Sequence, residues 1–97
     1  MKNIADLISG FERFQKEYFG DDQELFSQLK NGQQPKTMVI ACSDSRVDPA
    51  IILGCQPGDI FVVRNVANLV PPYEVSKQQP DVGAALEYAV KHLKVDH

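Results

Sequence analysis

Three side chains that can carry chemistry lie within five residues of one another: Cys42, Asp44 and Arg46. A cysteine thiolate is a soft ligand that suits zinc, and a carboxylate two residues away can join the metal or pair with the arginine. The same spacing also fits a nucleophilic cysteine, or a buried thiol followed by an Asp44–Arg46 salt bridge that only shapes a turn. Spacing alone leaves these three roles open.

A phosphate-binding cysteine loop fits this segment poorly. Such a loop places its arginine farther along and uses glycine N–H groups to cradle phosphate, whereas only Ser43, Asp44 and Ser45 separate Cys42 from Arg46. A carboxylate inside the loop would also repel an anionic substrate. A thiol-based redox protein is a further alternative, and it requires a Cys42 of low pKa that alkylates quickly without metal.

The cysteine loop follows the first of two predicted strands. Residues 37–41 form a short apolar run without alternation, which is typical of a strand covered on both faces of a parallel sheet, and residues 60–63 form a second. Between them, Asp48 and Pro49 predict a short helix, with Asp48 as N-cap and Pro49 in its first turn. In open α/β sheets the functional site lies beyond the carboxyl ends of the strands, where Cys42 falls.

Helical periodicity predicts an arm at residues 1–31, followed by the first part of an α/β core at residues 32–97. Gly20 is predicted to end the first helix, and Asp21 with Glu24 resembles a cap for the second. A long loop is expected over residues 64–80, and a last helix begins at Asp81 with an outward Glu87–Lys91 pair. This order of elements opens an α/β fold with a mainly parallel sheet, and the next strand is expected at the chain's end.

The composition of the chain argues against some classes of binding partner. Its 97 residues are 43% hydrophobic and 24% charged, which is typical of a soluble globular domain. The net charge is −3 and the ten Lys and Arg residues are scattered, which argues against nucleic acid. No apolar stretch approaches the roughly 20 residues that cross a bilayer. The N-terminus does not resemble a signal peptide, so a cytoplasmic protein without disulfides is expected.

Four segments resemble β-carbonic anhydrases and occur in the matching order. Residues 41–47 resemble the family's first zinc-binding motif, and the likeness continues through residues 56–59, 61–68 and 85–90. The N-terminal helices fit the family's helical arm. The resemblance implies a zinc enzyme that interconverts carbon dioxide and bicarbonate and that forms dimers or larger assemblies.

The resemblance also implies roles for individual residues of the loop. Cys42 matches the first zinc ligand. Asp44 matches an aspartate that occupies the fourth zinc position in a closed form and pairs with the arginine matched by Arg46 in an open form, which leaves that position to water. Zinc would then lower the pKa of this water from 15.7 toward about 7. Gln33 matches a glutamine that hydrogen-bonds a substrate oxygen.

A small apolar pocket for carbon dioxide is implied by three further matches. Phe61 and Val66 match residues that line it, and Tyr88 matches a tyrosine contributed across the dimer interface. On their patterns alone, all three fit ordinary packing. Arg64 and Asn65 are expected to orient the long loop that follows them.

The resemblance stops short of a complete zinc site. The family's remaining ligands, a His and a Cys three residues apart, follow a strand that would begin at or just after His97. Neither His92 nor His97 matches the ligand histidine, and Cys55 is expected to be a buried thiol. We therefore expect these residues alone to bind zinc weakly without activity, and the complete protein to be the enzyme. Hydrolysis of carbon disulfide or carbonyl sulfide, or a non-catalytic oligomerisation or regulatory module, are the alternatives.

Overall fold

The computed structural model describes residues 1–21, 24–74 and 81–97. The chain divides into two compact units, Met1–Gln33 and Gln34–His97. Within the described residues, no helix is both long and apolar enough to cross a membrane.

The first unit contains two helices, α1 at Ile4–Lys16 and α2 at Glu24–Leu29. A capping box begins α1, because Asn3 and Asp6 exchange two backbone-to-side-chain hydrogen bonds of 3.0 Å each. The chain then continues through a π-helical turn at Glu17–Asp21, so the helical backbone passes Gly20, where the sequence predicted its end. The predicted cap of α2 depends on side chains outside the described residues.

The apolar side of α1 remains accessible over its first half. Ile4, Leu7, Ile8 and Phe11 are each more than half exposed, at 70%, 56%, 54% and 57%. Farther along, Phe14 contacts Phe11, with ring centroids 6.2 Å apart. The helix is therefore amphipathic, and the described residues of the first unit leave these four apolar side chains exposed.

The second unit is built on two parallel strands, β1 at Met38–Cys42 and β2 at Phe61–Asn65. Their register pairs Met38 with Phe61 at one end and Cys42 with Asn65 at the other. Both strands lie farther along the chain than predicted. The carboxyl end of the sheet therefore includes Cys42, Arg64 and Asn65.

A short helix, α3 at Pro49–Ile52, connects the two strands. The Asp48 side chain accepts a 3.0 Å hydrogen bond from the Ala50 N–H, and Pro49 occupies the first turn, which confirms the predicted helix start. Gly54 follows with a φ of 65°, a conformation that glycine adopts without steric cost.

The two strands are half-buried rather than covered on both faces as predicted, and Val62 is 36% exposed. The last helix, α4 at Asp81–Tyr88, continues through a π-helical turn at Ala89–Leu93. Leu86 and Val90 from this segment line a groove of about 320 Å³ with Met38 and Ile40 of β1. The groove lies between β1 and the last helical segment. This segment therefore packs only loosely on one side of β1.

The loop after β2 is attached to α4 by polar contacts. The Tyr73 hydroxyl donates a 3.1 Å hydrogen bond to Glu87, and Lys91 lies 3.6 Å from the same carboxylate. The second contact confirms the predicted pair four residues apart. The predicted long loop begins only after Asn65, and its residues 75–80 lie outside the described part.

The last residue of this chain is hydrogen-bonded to the edge of β1 that does not pair with β2. The Met38 N–H donates to the His97 carbonyl at 2.8 Å, and the His97 N–H donates to the Lys36 carbonyl at 3.2 Å. This exchange is the pattern of a parallel ladder, with His97 opposite Thr37. His97 thus lies in parallel register beside Thr37, on the side of β1 away from β2, which is where the sequence predicts the next strand.

Candidate metal centre

The loop that carries the chemistry begins where β1 ends. The Ser43 N–H donates to the Asn65 carbonyl at 2.8 Å, so the ladder with β2 extends one residue past Cys42. The Val47 N–H then donates to the Asp44 carbonyl at 3.1 Å and closes a tight turn. The turn keeps Asp44 and the following residues at the carboxyl end of the sheet, as predicted.

Asp44 and Arg46 form a two-pronged ion pair. Arg46 Nη2 lies 2.6 Å from Asp44 Oδ2, and Arg46 Nε lies 2.9 Å from Oδ1. The Arg46 backbone N–H also donates to Oδ1 at 2.9 Å. These bonds, the side-chain ones first, lower the pKa of the Asp44 carboxyl to about 2. The structure therefore contains the predicted pair, with an ionised Asp44 held by Arg46.

The Cys42 thiol is half-buried and lies among backbone N–H groups. Its pKa is lowered, mainly by the N–H of Asp44 and then by that of Ala67, against the opposing effects of burial and of the Asp44 charge. N–H donors stabilise a thiolate because they point positive partial charge at the sulfur. The arrangement favours the form of cysteine that binds metals or attacks electrophiles.

Ala67 reaches the sulfur from the turn that follows β2. Ala67 and Asn68 have positive φ values of 66° and 47°, which are uncommon outside glycine. The Asn65 side chain holds this turn, since its amide donates to the Leu69 carbonyl and its oxygen accepts from the Leu69 N–H, both at 2.8 Å. Two loops at one end of the sheet thus converge on Cys42.

Arg64 is a part of the site whose contacts the sequence did not reveal. Its Nε donates to the Cys42 carbonyl at 2.8 Å and its Nη2 donates to the Asp44 carbonyl at 2.7 Å. We expected Arg64 to orient the loop after β2, whereas these bonds fix the loop after β1. The available signal was its place near the end of a neighbouring parallel strand, because such ends meet at one edge.

The residues predicted to contact substrate are distributed over the chain. The Phe61 and Tyr88 rings face each other at 5.8 Å. Phe61 pairs with Met38 at the start of β2, four residues or about 13 Å along the strands from Cys42. Val66 directly follows β2 and is 80% exposed, and Gln33 ends the first unit. The substrate roles of these four remain predictions.

The donor set of this region fits zinc in part. A polarised thiol and a nearby carboxylate are both zinc ligands, but a structural or catalytic zinc needs at least three protein donors. Among residues 1–21, 24–74 and 81–97, no three His, Cys, Asp or Glu side chains are grouped to hold a metal. His92 instead stacks against Tyr88 at 5.4 Å. Cys42 therefore fits as one ligand of a site that these residues do not complete.

Comparison with known protein families shows the family to which the chain belongs. The sequence profile of the family described as carbonic anhydrase matches residues 37–97. A carbonic anhydrase from Synechocystis sp. is 44% identical over 90 residues. The chain belongs to the β-carbonic anhydrase family. The match with the Synechocystis carbonic anhydrase covers 93% of this chain and 32% of that protein.

Solved β-carbonic anhydrases share the fold. The β-carbonic anhydrase CcaA has a TM-score of 0.85 and 42% identity, covering 97% of this chain and 45% of its own. A tetrameric β-carbonic anhydrase from Sordaria macrospora has a TM-score of 0.62 and 42% identity, over 94% of this chain and 41% of its own. The predicted α/β class is confirmed, and the chain spans less than half the length of these relatives.

Proposed function

We propose that the complete gene product, including any residues that follow His97, is a zinc-dependent carbonic anhydrase. It catalyses the reversible hydration of carbon dioxide to bicarbonate, and Cys42 is one of its zinc ligands. The observation that carries this proposal is the position of Cys42 at the carboxyl end of the parallel sheet, two residues before Asp44, which Arg46 holds in an ion pair. The backbone N–H groups of Asp44 and Ala67 also lower the pKa of the Cys42 thiol. Such donors favour the thiolate, which is the form that binds zinc.

Asp44 and Arg46 control access to the metal in this proposal. Bound zinc supplies Lewis acidity that makes water acidic enough to react near neutral pH. Because Arg46 holds both carboxylate oxygens, Asp44 would not be available as a ligand to a zinc ion held by Cys42, and solvent could bind the zinc instead. With a pKa of about 2, Asp44 is ionised at neutral pH and accepts hydrogen bonds rather than donating a proton.

The register of the sheet supports completion of the site by later residues. His97 lies opposite Thr37, so a strand that continued from His97 in the same register would place the fifth residue after His97 opposite Cys42. Parallel strands advance together, and their carboxyl ends share one edge. Ligands carried just beyond such a strand would therefore reach the Cys42 sulfur.

We further propose which residues contact the substrate, and that the protein is a cytoplasmic homo-oligomer. Phe61, Val66 and Tyr88 supply apolar surface for carbon dioxide, and Gln33 supplies an amide for a substrate oxygen. A homo-oligomer is proposed because one relative of known structure is tetrameric and because the apolar side of α1 is exposed. The cytoplasmic location is proposed on the sequence alone.

Zinc analysis with stopped-flow hydration of carbon dioxide tests the function. The complete gene product is expected to carry one zinc per chain, to lose activity when a chelator removes it and to regain activity with added zinc. Carbon disulfide and carbonyl sulfide, assayed in parallel, should be poorer substrates. A zinc-loaded protein that does not hydrate carbon dioxide would refute the proposal.

A non-catalytic module is the second candidate, because no three donor side chains among the described residues are grouped to hold a metal. The 97-residue chain is accordingly expected to bind zinc weakly in calorimetry and to lack hydration activity. A complete reading frame without a His and a Cys after the next strand would favour this candidate. Tight one-to-one zinc binding together with fast hydration by the 97-residue chain would exclude it.

A further inference from the structure

We propose that Arg64 is a positioning residue that fixes the zinc-binding loop through its backbone. The inference rests on the proposed function for its catalytic consequence, but its structural part can be tested alone. Arg64 belongs to β2, whereas the loop follows β1, so its side chain crosses between two strands to reach its acceptors. Its side chain is 26% exposed, which places most of it inside the unit.

The Arg64 guanidinium donates hydrogen bonds to two carbonyl oxygens. Nε donates to the Cys42 carbonyl and Nη2 to the Asp44 carbonyl, at 2.8 and 2.7 Å. These carbonyls flank Ser43, so the bonds set the direction of the peptide units that lead to the Asp44 N–H. A planar guanidinium can bind both acceptors at once, whereas the single ammonium of a lysine cannot reproduce that fork.

Asp48 adds a third contact. Arg64 Nη1 lies 3.5 Å from Asp48 Oδ2, while Asp48 Oδ1 accepts the Ala50 N–H at the start of α3. Arg64 thereby ties the end of β1, the turn and the start of α3 to β2. Two features of the loop depend on this conformation: the position of Cys42 at the end of β1 and the Asp44 carboxylate held by Arg46.

Arg64 differs in this respect from Arg46. Arg46 is 84% exposed and binds a carboxylate, so it acts on the charge of Asp44. Arg64 binds main-chain oxygens, so it acts on where the loop lies. Its loss should move the loop even in a protein that remains folded.

Amide NMR of the 97-residue chain tests the structural part. Arg64→Gln should shift the backbone amide signals of Ser43, Asp44 and Arg46. The turn at residues 56–59 is the internal reference, since it is closed by its own hydrogen bonds. Arg13→Gln, a matched change on the exposed surface of α1, should move neither set.

Arg64→Lys keeps the test decisive if Arg64→Gln does not fold. It retains the charge but cannot span both carbonyls, so the same loop signals should shift, by less than in Arg64→Gln. Unchanged loop signals in a folded Arg64 variant would overturn the proposal.

Kinetics of the complete gene product test the catalytic part. Arg64→Gln should lower kcat/KM roughly tenfold, since small displacements of catalytic groups are costly, and Arg64→Lys should recover part of the loss. Arg13→Gln should match the wild type. An inactive wild type would refute the proposed function but leave the NMR result standing, whereas an active enzyme unaffected by Arg64→Gln would overturn the role of Arg64.

Discussion

The two cysteines of this chain are both half-buried, yet their surroundings differ. Cys42 ends a strand, and backbone N–H groups of Asp44 and Ala67, from two loops, lower the pKa of its thiol. Cys55 follows a helix, its backbone N–H donates to the Ala50 carbonyl at 2.8 Å, and the adjacent turn is closed by Gln56 and Asp59. Position at the carboxyl end of a parallel sheet, rather than exposure, distinguishes the thiol suited to chemistry.

The largest expected difference between these regions is in metal binding. In the complete gene product, Cys42→Ser should weaken zinc binding, so that the purified variant holds less than one zinc per chain until zinc is added, and should reduce carbon dioxide hydration by about 100-fold or more, because a thiolate ligand is lost. Cys55→Ser should leave zinc content and rate unchanged. Metal analysis and stopped-flow kinetics measure both, and equal losses in the two variants would contradict the comparison.

Thiol reactivity gives the next largest difference, and it needs only the 97-residue chain. Cys42 should react with iodoacetamide several-fold faster than Cys55 near neutral pH, because its lowered pKa increases the thiolate fraction. Mass spectrometry of the two peptides at short reaction times gives the ratio. Cys42→Ser is the control, since the remaining thiol should react at the slower rate. Indistinguishable rates would show that the N–H groups do not act on the sulfur.

Acid titration sharpens the description of the Cys42 region. The Asp44 carboxyl should titrate near pH 2 in carbon-detected NMR, and Arg46→Gln should raise this midpoint toward the ordinary value of about 3.9. Since the pKa is lowered in the folded chain, the pair contributes stability above about pH 4 that is lost as the pH falls toward 2. Arg13→Gln should not move the midpoint. An ordinary midpoint in the wild type would mean that the ion pair does not persist in solution.

The smallest expected effect compares two aspartates that close local turns. Asp48→Ala removes the N-cap of α3 and should lower the free energy of unfolding by about 1 kcal/mol. Asp59→Ala removes one exposed hydrogen bond near Cys55 and should cost less. Urea denaturation of both variants gives the ranking. A larger cost for Asp59→Ala would contradict the role of Asp48 as the N-cap of α3.

Local features of this fold could be predicted from the sequence. The loop after β1, the Asp48 cap and the Glu87–Lys91 pair each depend on residues close together in the chain. The contacts of Arg64 and Ala67 could not be predicted, because they join segments about 20 residues apart and depend on strand register. The half-burial of the strands was also missed, since an apolar run shows what a strand can bury but not how closely a helix packs on it.

The most direct test of the central claim is zinc K-edge X-ray absorption of the complete gene product, with Cys42→Ser reloaded with zinc for comparison. A thiolate ligand at position 42 predicts sulfur scattering near 2.3 Å, the ordinary zinc–sulfur distance, with one sulfur fewer in the variant. An identical sulfur shell in both proteins, or none in the wild type, would show that Cys42 does not bind the metal.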